Sequence, residues 1–235
     1  MKQKTSRRIT TDIQGFDALI QGGLKKNSVN LVAGSAGSGK TIFSIQFLIN
    51  GILKGEPGIY ITFEERKNKT YADMLAFGWD LKKYEEYGKF VFLEYTPEQV
   101  KKVLVEGGGI VESIIEKIKA KRIVIDSITS FSLLYQDELT KKEAALSLFE
   151  LINKWDCTAI LTSQSEARED ETISAALEFE VDGIIVLYHV KKKGIRTRAI
   201  EILKMRGTKI PEKTFKIDIT NKGIIVNPKE VVSFT

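Results

Sequence analysis

The sequence predicts an α/β fold: a mostly parallel sheet flanked by helices, with an antiparallel hairpin extension at the C-terminal end. Three observations carry that expectation. Short apolar runs alternate with stretches of helical periodicity between residues 28 and 190. The first run passes through a glycine-rich loop into the first long helical stretch. Beyond residue 183 the helical stretches cease and strand-like runs follow one another directly. Strand–helix alternation favours parallel pairing, because each return crossing needs a helix's length of chain.

The elements read in order as follows. Val29–Ala33 is a short buried strand, and Thr41 to Leu53 places Ile45, Leu48, Ile49 and Ile52 at helical spacing. Pro57-Gly58 opens a strand that runs to Phe63, and the helical stretch Tyr71 to Phe77 stops at Gly78. Phe90–Leu93 is a strand. Ile110, Val111, Ile114, Ile115 and Ile118 mark a helix after Gly107-Gly-Gly109. Ile123–Ile125 is a strand, Glu143 to Lys154 a helix and Thr158–Leu161 a strand. Gly183–Val190 and Arg196–Lys204 then form a hairpin, with Phe215–Ile219 and Gly223–Val226 beside it. No internal repeat, low-complexity tract or Pro/Ser-rich linker interrupts residues 1–235, which read as one domain.

Composition narrows the classes. A hydrophobic share of 43% against 29% charged residues is that of a folded globular chain. No apolar run approaches the roughly 18 residues of a membrane helix, so membrane insertion is not expected. Met1 to Arg8 is charged, with no apolar block of a secretory signal behind it. The single Cys157 fits a reducing cytoplasm and reads as a small apolar filler. His189 is the one histidine, which excludes any chemistry needing two, and it reads as an ordinary strand residue. The net charge of +5 is scattered rather than striped, which is weak evidence for a nucleic-acid partner.

Four motifs carry chemistry. Gly34, Ser35, Ala36, Gly37, Ser38, Gly39, Lys40 and Thr41 fit G-x-x-x-x-G-K-[ST] in full. Its glycines let backbone N–H groups turn inward around phosphate oxygens, and Lys40 supplies a point charge for them. Thr41 offers a hydroxyl to Mg²⁺, and Ile42 follows in the first turn of a helix whose N-terminus favours anions. Arg122-Ile-Val-Ile-Asp126 is an apolar strand ending in an acid, which places Asp126 as a second Mg²⁺ ligand. Glu64 and Glu65 end another strand; one of them orients the attacking water, or both are a solvated pair. Gln164 follows Thr162-Ser163 at the end of the next strand, where an amide senses a γ-phosphate or simply lies in a polar loop.

The order of these motifs resembles that of the RecA-like ATPases. The closer likeness is to the KaiC-like family, through Gly15-Phe-Asp17 with Gly22-Gly23, Gly39 to Phe47 and Glu56-Pro-Gly58 leading to Phe63-Glu-Glu65. Phe77-Gly-Trp-Asp80, Ile125-Asp-Ser127 and Glu201 to Thr208 complete it, and the likeness spans residues 7 to 228. The resemblance implies a RecA-like P-loop fold, ATP and ADP as ligands with Mg²⁺, and slow ATP hydrolysis in a homo-oligomeric, hexameric ring. It implies catalytic roles for Glu64 and Glu65, and for Lys204 and Arg206 reaching a neighbouring subunit's nucleotide. Thr208 matches a position near that same nucleotide.

Two-domain members of the family carry this unit in tandem, and the present chain carries it once. Where autokinase domains hold a Ser/Thr pair this sequence has Glu178 and Phe179, so it is more similar to the first, hydrolytic domain. Thr172 and Ser174 lie nearby, which leaves autokinase activity as an alternative. The resemblance favours a nucleotide switch or motor acting on a protein partner over a recombinase that binds single-stranded DNA. Residues 165–180, which would face DNA in a recombinase, hold Glu166, Glu169, Asp170, Glu171, Glu178 and Glu180 against Arg168 alone. That surplus repels a phosphate backbone.

Overall fold

The described strands form a nine-stranded sheet and a separate two-stranded ribbon. The computed structural model describes residues 8–96, 99, 109–132, 135, 137–164, 180–192 and 194–234. The sequence readings at Thr172, Ser174, Glu178 and Phe179, and nearly all of the acidic stretch 165–180, lie outside the described residues.

Strand β1 (Arg8–Ile9) pairs with β2 (Leu24–Lys25) around the short helix α1 (Phe16–Leu19). The sheet proper begins with β3 (Val29–Gly34), which leads into helix α2 (Lys40–Leu53) and β4 (Gly58–Thr62). Helices α3 (Lys67–Leu75) and α4 (Leu81–Glu86) precede β5 (Phe90–Glu94). After the helix Gly109–Ile118 come β6 (Arg122–Asp126), the short helix Ile128–Ser132 and the helix Glu138–Lys154. Then follow β7 (Thr158–Gln164), β8 (Gly183–Lys192), β9 (Ile195–Met205), β10 (Phe215–Thr220) and β11 (Gly223–Val231).

The strand order is β11-β10-β9-β8-β3-β7-β6-β4-β5. From β8 to β5 every pairing is parallel, and from β8 to β11 every pairing is antiparallel. The predicted class and its hairpin extension therefore both stand. All residues of β3, β4 and β6 are buried, as expected of parallel strands covered on both sides. Alternate side chains feed two cores. Val32, Tyr60 and Val124 pack with α2, while Leu31, Ile59 and Ile123 pack with the helices Gly109–Ile118 and Glu138–Lys154. Cys157 is buried in the second core, its thiol donating to the Ala120 carbonyl. No helix among the described residues is long and apolar enough to cross a membrane.

The differences from the predicted elements have local causes. The helix read from Glu143 starts at Glu138, because Asp137 caps it by accepting from the Thr140 N–H at 2.8 Å. The helix read from Tyr71 starts at Lys67, where a polar first turn hides the apolar period. Helix α4, unread in the sequence, has only six residues and is capped by Asp80. The strand read to Leu161 continues to Gln164, so Thr162 and Ser163 belong to the sheet rather than to a following loop.

One buried charge locks the amino end of the sheet. Arg122 has a side chain 1% exposed. Its guanidinium bonds Glu56, the Phe47 carbonyl at 2.7 Å and the Thr10 carbonyl at 2.9 Å. It also lies 4.6 Å from the Phe47 ring centroid. A Cβ on Gly51 would lie 2.3 Å from Arg122 Nε, which accounts for a glycine inside α2.

Candidate phosphate and metal site

The carboxyl ends of β3, β7, β6 and β4 lie side by side, and each carries one of the sequence motifs. Residues 34–41 leave β3 and turn into α2. Gly37 and Gly39 have φ of 74° and 107°, a conformation that side-chain-bearing residues rarely adopt. Lys40 Nζ folds back over this loop and donates to the carbonyls of Gly34 at 2.8 Å and Ser35 at 3.0 Å. Burial lowers the Lys40 pKa, and the nearby charges of Asp126 and Glu64 oppose that shift. Ile42 is half-buried against the α2-side core, behind the loop.

Asp126 ends β6 at 8% exposure. The sheet register determines its neighbours: Thr62 of β4 sits opposite it, and Leu161 of β7 sits opposite Ile125. Thr162 is therefore beside Asp126, and its hydroxyl donates to Oδ1 at 2.5 Å. Oδ2 accepts from Thr41 at 3.0 Å and from the Tyr60 hydroxyl at 2.5 Å. Burial first, and then the Asp126 charge, raise the Tyr60 pKa well above its ordinary value, so the phenol stays a donor. All three donors are neutral hydroxyls. The paired oxygen groups of Thr41 and Asp126 are hard ligands of the kind Mg²⁺ accepts beside substrate phosphates.

Glu64 and Glu65 both lie near this site, but they bond different partners. Glu64 Oε1 accepts from Ser127 at 2.8 Å and from Ser130. Its Oε2 accepts from Gln164 Nε2 at 3.4 Å. Glu65 instead reaches Lys69 on α3 at 3.7 Å. The turn that separates them is held by Thr62, whose hydroxyl accepts from both backbone N–H groups at 3.3 and 3.0 Å. Gln164 also donates its backbone N–H to Thr129 at 2.8 Å.

Lys204, Arg206 and Thr208 lie at the other end of the sheet from residues 34–41 of the same chain. Lys204 pairs with Ile184, Met205 pairs with Gly183, and Gly183 pairs with Asn30. Gly34 pairs with Leu187, four residues further along, which is about 13 Å of strand. Arg206 donates its backbone N–H to the Asp182 carbonyl at 2.7 Å, and Thr208 accepts from Arg8 at 2.8 Å.

The sequence reading missed Tyr60 and Thr162 as partners of Asp126, and Ser127 and Ser130 as partners of Glu64. It also took His189 for an ordinary strand residue and left Arg198 unmarked. Arg198 Nε donates to the Gly37 carbonyl at 3.0 Å, and His189 lies against the same loop, its Nδ1 3.3 Å from where a Cβ on Gly37 would stand. The alternation of β8 could have placed His189 on the α2 side with Leu187, but not against the loop.

Known proteins resemble this chain over nearly its whole length. The family model for the KaiC ATPase matches residues 9–231. A UPF0273 protein of Pyrococcus furiosus is 37% identical over 96% of this chain and 96% of its own length. The circadian clock protein KaiC3 of Synechocystis is 35% identical over 96% of this chain, which spans 46% of that protein. The crystal structure of a KaiC-like protein from Pyrococcus horikoshii superposes with a TM-score of 0.84 at 34% identity. That match covers 95% of this chain and 100% of the other.

Proposed function

The chain belongs to the KaiC family of ATPases, and from that premise we propose that it is a Mg²⁺-dependent ATPase acting as an oligomeric nucleotide switch or motor. One observation carries the reading: Lys40, Thr41, Asp126, Glu64 and Gln164 converge at the carboxyl ends of neighbouring strands. The amides of residues 34–41 bind the triphosphate, and Lys40 leaves its carbonyl partners for the β- and γ-phosphates. Thr41 and Asp126 are the residues that would hold Mg²⁺. When bound, the ion neutralises charge on the β- and γ-oxygens.

Glu64 orients a water molecule in line with the γ-phosphorus and takes its proton. The water oxygen forms a bond to phosphorus, the bond to the β-phosphate oxygen breaks, and ADP and phosphate result. Gln164 and the two serine hydroxyls hold the Glu64 carboxylate during this step, and Gln164 reports the presence of the γ-phosphate. Lys204 and Arg206 act on the nucleotide of a second copy of the chain, because their own phosphate loop is beyond their reach. A ring, hexameric by its likeness to the family, supplies that second copy, with Thr208 near the same boundary. The chain is one such domain, working in the cytoplasm on a protein partner. Single-stranded DNA fits poorly beside the acidic residues 165–180.

The test is a hydrolysis assay with light scattering, with and without ATP. The reading expects magnesium-dependent release of phosphate and a mass several times 26.4 kDa. Lys40→Ala should abolish turnover. A wild-type chain that releases no phosphate and stays monomeric with ATP contradicts the proposal.

A further inference from the structure

The outer wall of the phosphate loop is built by the β8–β9 hairpin. His189 and Arg198 are cross-strand partners there. The Val190–Thr197 pair separates them from the Lys191–Arg196 row, and they share the face of the sheet that carries α2. Arg198 Nε donates to the Gly37 carbonyl at 3.0 Å, and the His189 ring packs beside it. A Cβ on Gly37 would stand 3.3 Å from His189 Nδ1, so the ring lies directly against the loop.

Peptide geometry gives these contacts a consequence. In a planar trans peptide the C=O and the following N–H point in opposite directions. Fixing the Gly37 carbonyl towards Arg198 turns the Ser38 N–H away from the hairpin, to the concave side of the loop. There it makes only a long bond, 3.3 Å, to the Ser35 carbonyl. The His189 ring, packed against Gly37, limits how far that peptide can rotate back. One of the cradle's amide donors is thus oriented before any anion arrives, and a preorganised donor binds without the cost of ordering it. The Arg198 guanidinium, which is always charged, also adds positive potential behind the loop.

We propose that Arg198, supported by His189, is a positioning residue for the phosphate loop and that the pair sets affinity for the nucleotide's phosphates. The inference rests on residues 34–41 being the nucleotide site, and it extends that site to a strand pair outside every motif of the sequence.

The test measures ADP·Mg²⁺ affinity and steady-state hydrolysis for the full chain and for Arg198→Met, Arg198→Lys and His189→Phe. Arg198→Met should weaken ADP binding about tenfold, the size expected for a hydrogen bond from a charged group. Arg198→Lys keeps a charged donor and should recover to within about threefold of wild type. His189→Phe keeps a ring against Gly37 and should cost no more than about threefold. In each variant KM should rise more than kcat falls, and the nucleotide-free melting temperature should stay within a few degrees of wild type. Wild-type affinity in Arg198→Met overturns the inference and leaves the nucleotide reading intact. Equal loss in the Met and Lys variants, with a lowered melting temperature, assigns Arg198 to fold stability and also overturns it. A wild-type chain that binds no nucleotide removes the site and the positioning role together.

Discussion

Strand β6 begins and ends with a buried charge, and the two ends are solved differently. At its amino end Arg122 is 0% exposed and saturated: a carboxylate, two backbone carbonyls and an aromatic face surround its guanidinium. At its carboxyl end Asp126 is 8% exposed and held by three neutral hydroxyls, from Thr41, Tyr60 and Thr162. Burying a charge is costly unless it is paired. Arg122 has its counter-charge within the chain and ties α2, β6 and the N-terminal segment together. Among the described residues Asp126 is bonded by hydroxyls and by no cation, and Lys40 acts on it through space. A satisfied buried charge reads as structure; a positioned but unneutralised one reads as a place where a cation belongs.

Exchanging the roles of these ends is the strongest way to break the contrast. Asp126→Asn should lower magnesium-dependent hydrolysis on the order of a thousandfold with little change in melting temperature. Arg122→Met should do the reverse: a loss of about 3 kcal/mol in urea unfolding, with nucleotide affinity of the folded protein unchanged. Loss of stability in the first, or of nucleotide affinity alone in the second, would erase the distinction.

Within the site, Glu64→Gln should cut turnover about a hundredfold while nucleotide affinity persists, as measured by titration and phosphate release. Tyr60→Phe removes one donor to the carboxylate. It should raise the magnesium concentration for half-maximal hydrolysis about tenfold, since the metal ligand is less well held. The smallest effect belongs to Glu65→Gln. Its carboxylate faces Lys69, so turnover should stay within about threefold of wild type, the scale of an exposed ion pair. A larger loss for Glu65→Gln than for Glu64→Gln would reverse the two assignments.

The motif residues were legible because each is local in sequence. A glycine-rich loop, a strand ending in an acid and a strand ending in two glutamates all announce themselves by type and spacing. Their partners were not, because sheet register decides them. Tyr60 meets Asp126 although 66 positions separate them, and Gln164 meets Glu64 across 100. The same holds for Arg122, which looks like a surface residue opening an apolar strand until Glu56 and the Thr10 carbonyl close around it. Glu64 and Glu65 are equivalent by type and spacing, and only the turn bonded to Thr62 sends one to Ser127 and Gln164 and the other to Lys69 of α3. His189 and Arg198 escaped notice because a hairpin of scattered basic residues is ordinarily a solvated face. The fold class needed no such long-range information: alternation and buried apolar runs specify it directly.

The most direct test is calorimetric titration of ATP, with Mg²⁺ and with a chelator, into the wild-type chain and Asp126→Asn. The account predicts saturable binding to the wild type that magnesium strengthens, and a magnesium effect that disappears in the variant. Equal heats with and without the metal in the wild type, or an unchanged magnesium effect in Asp126→Asn, would contradict it.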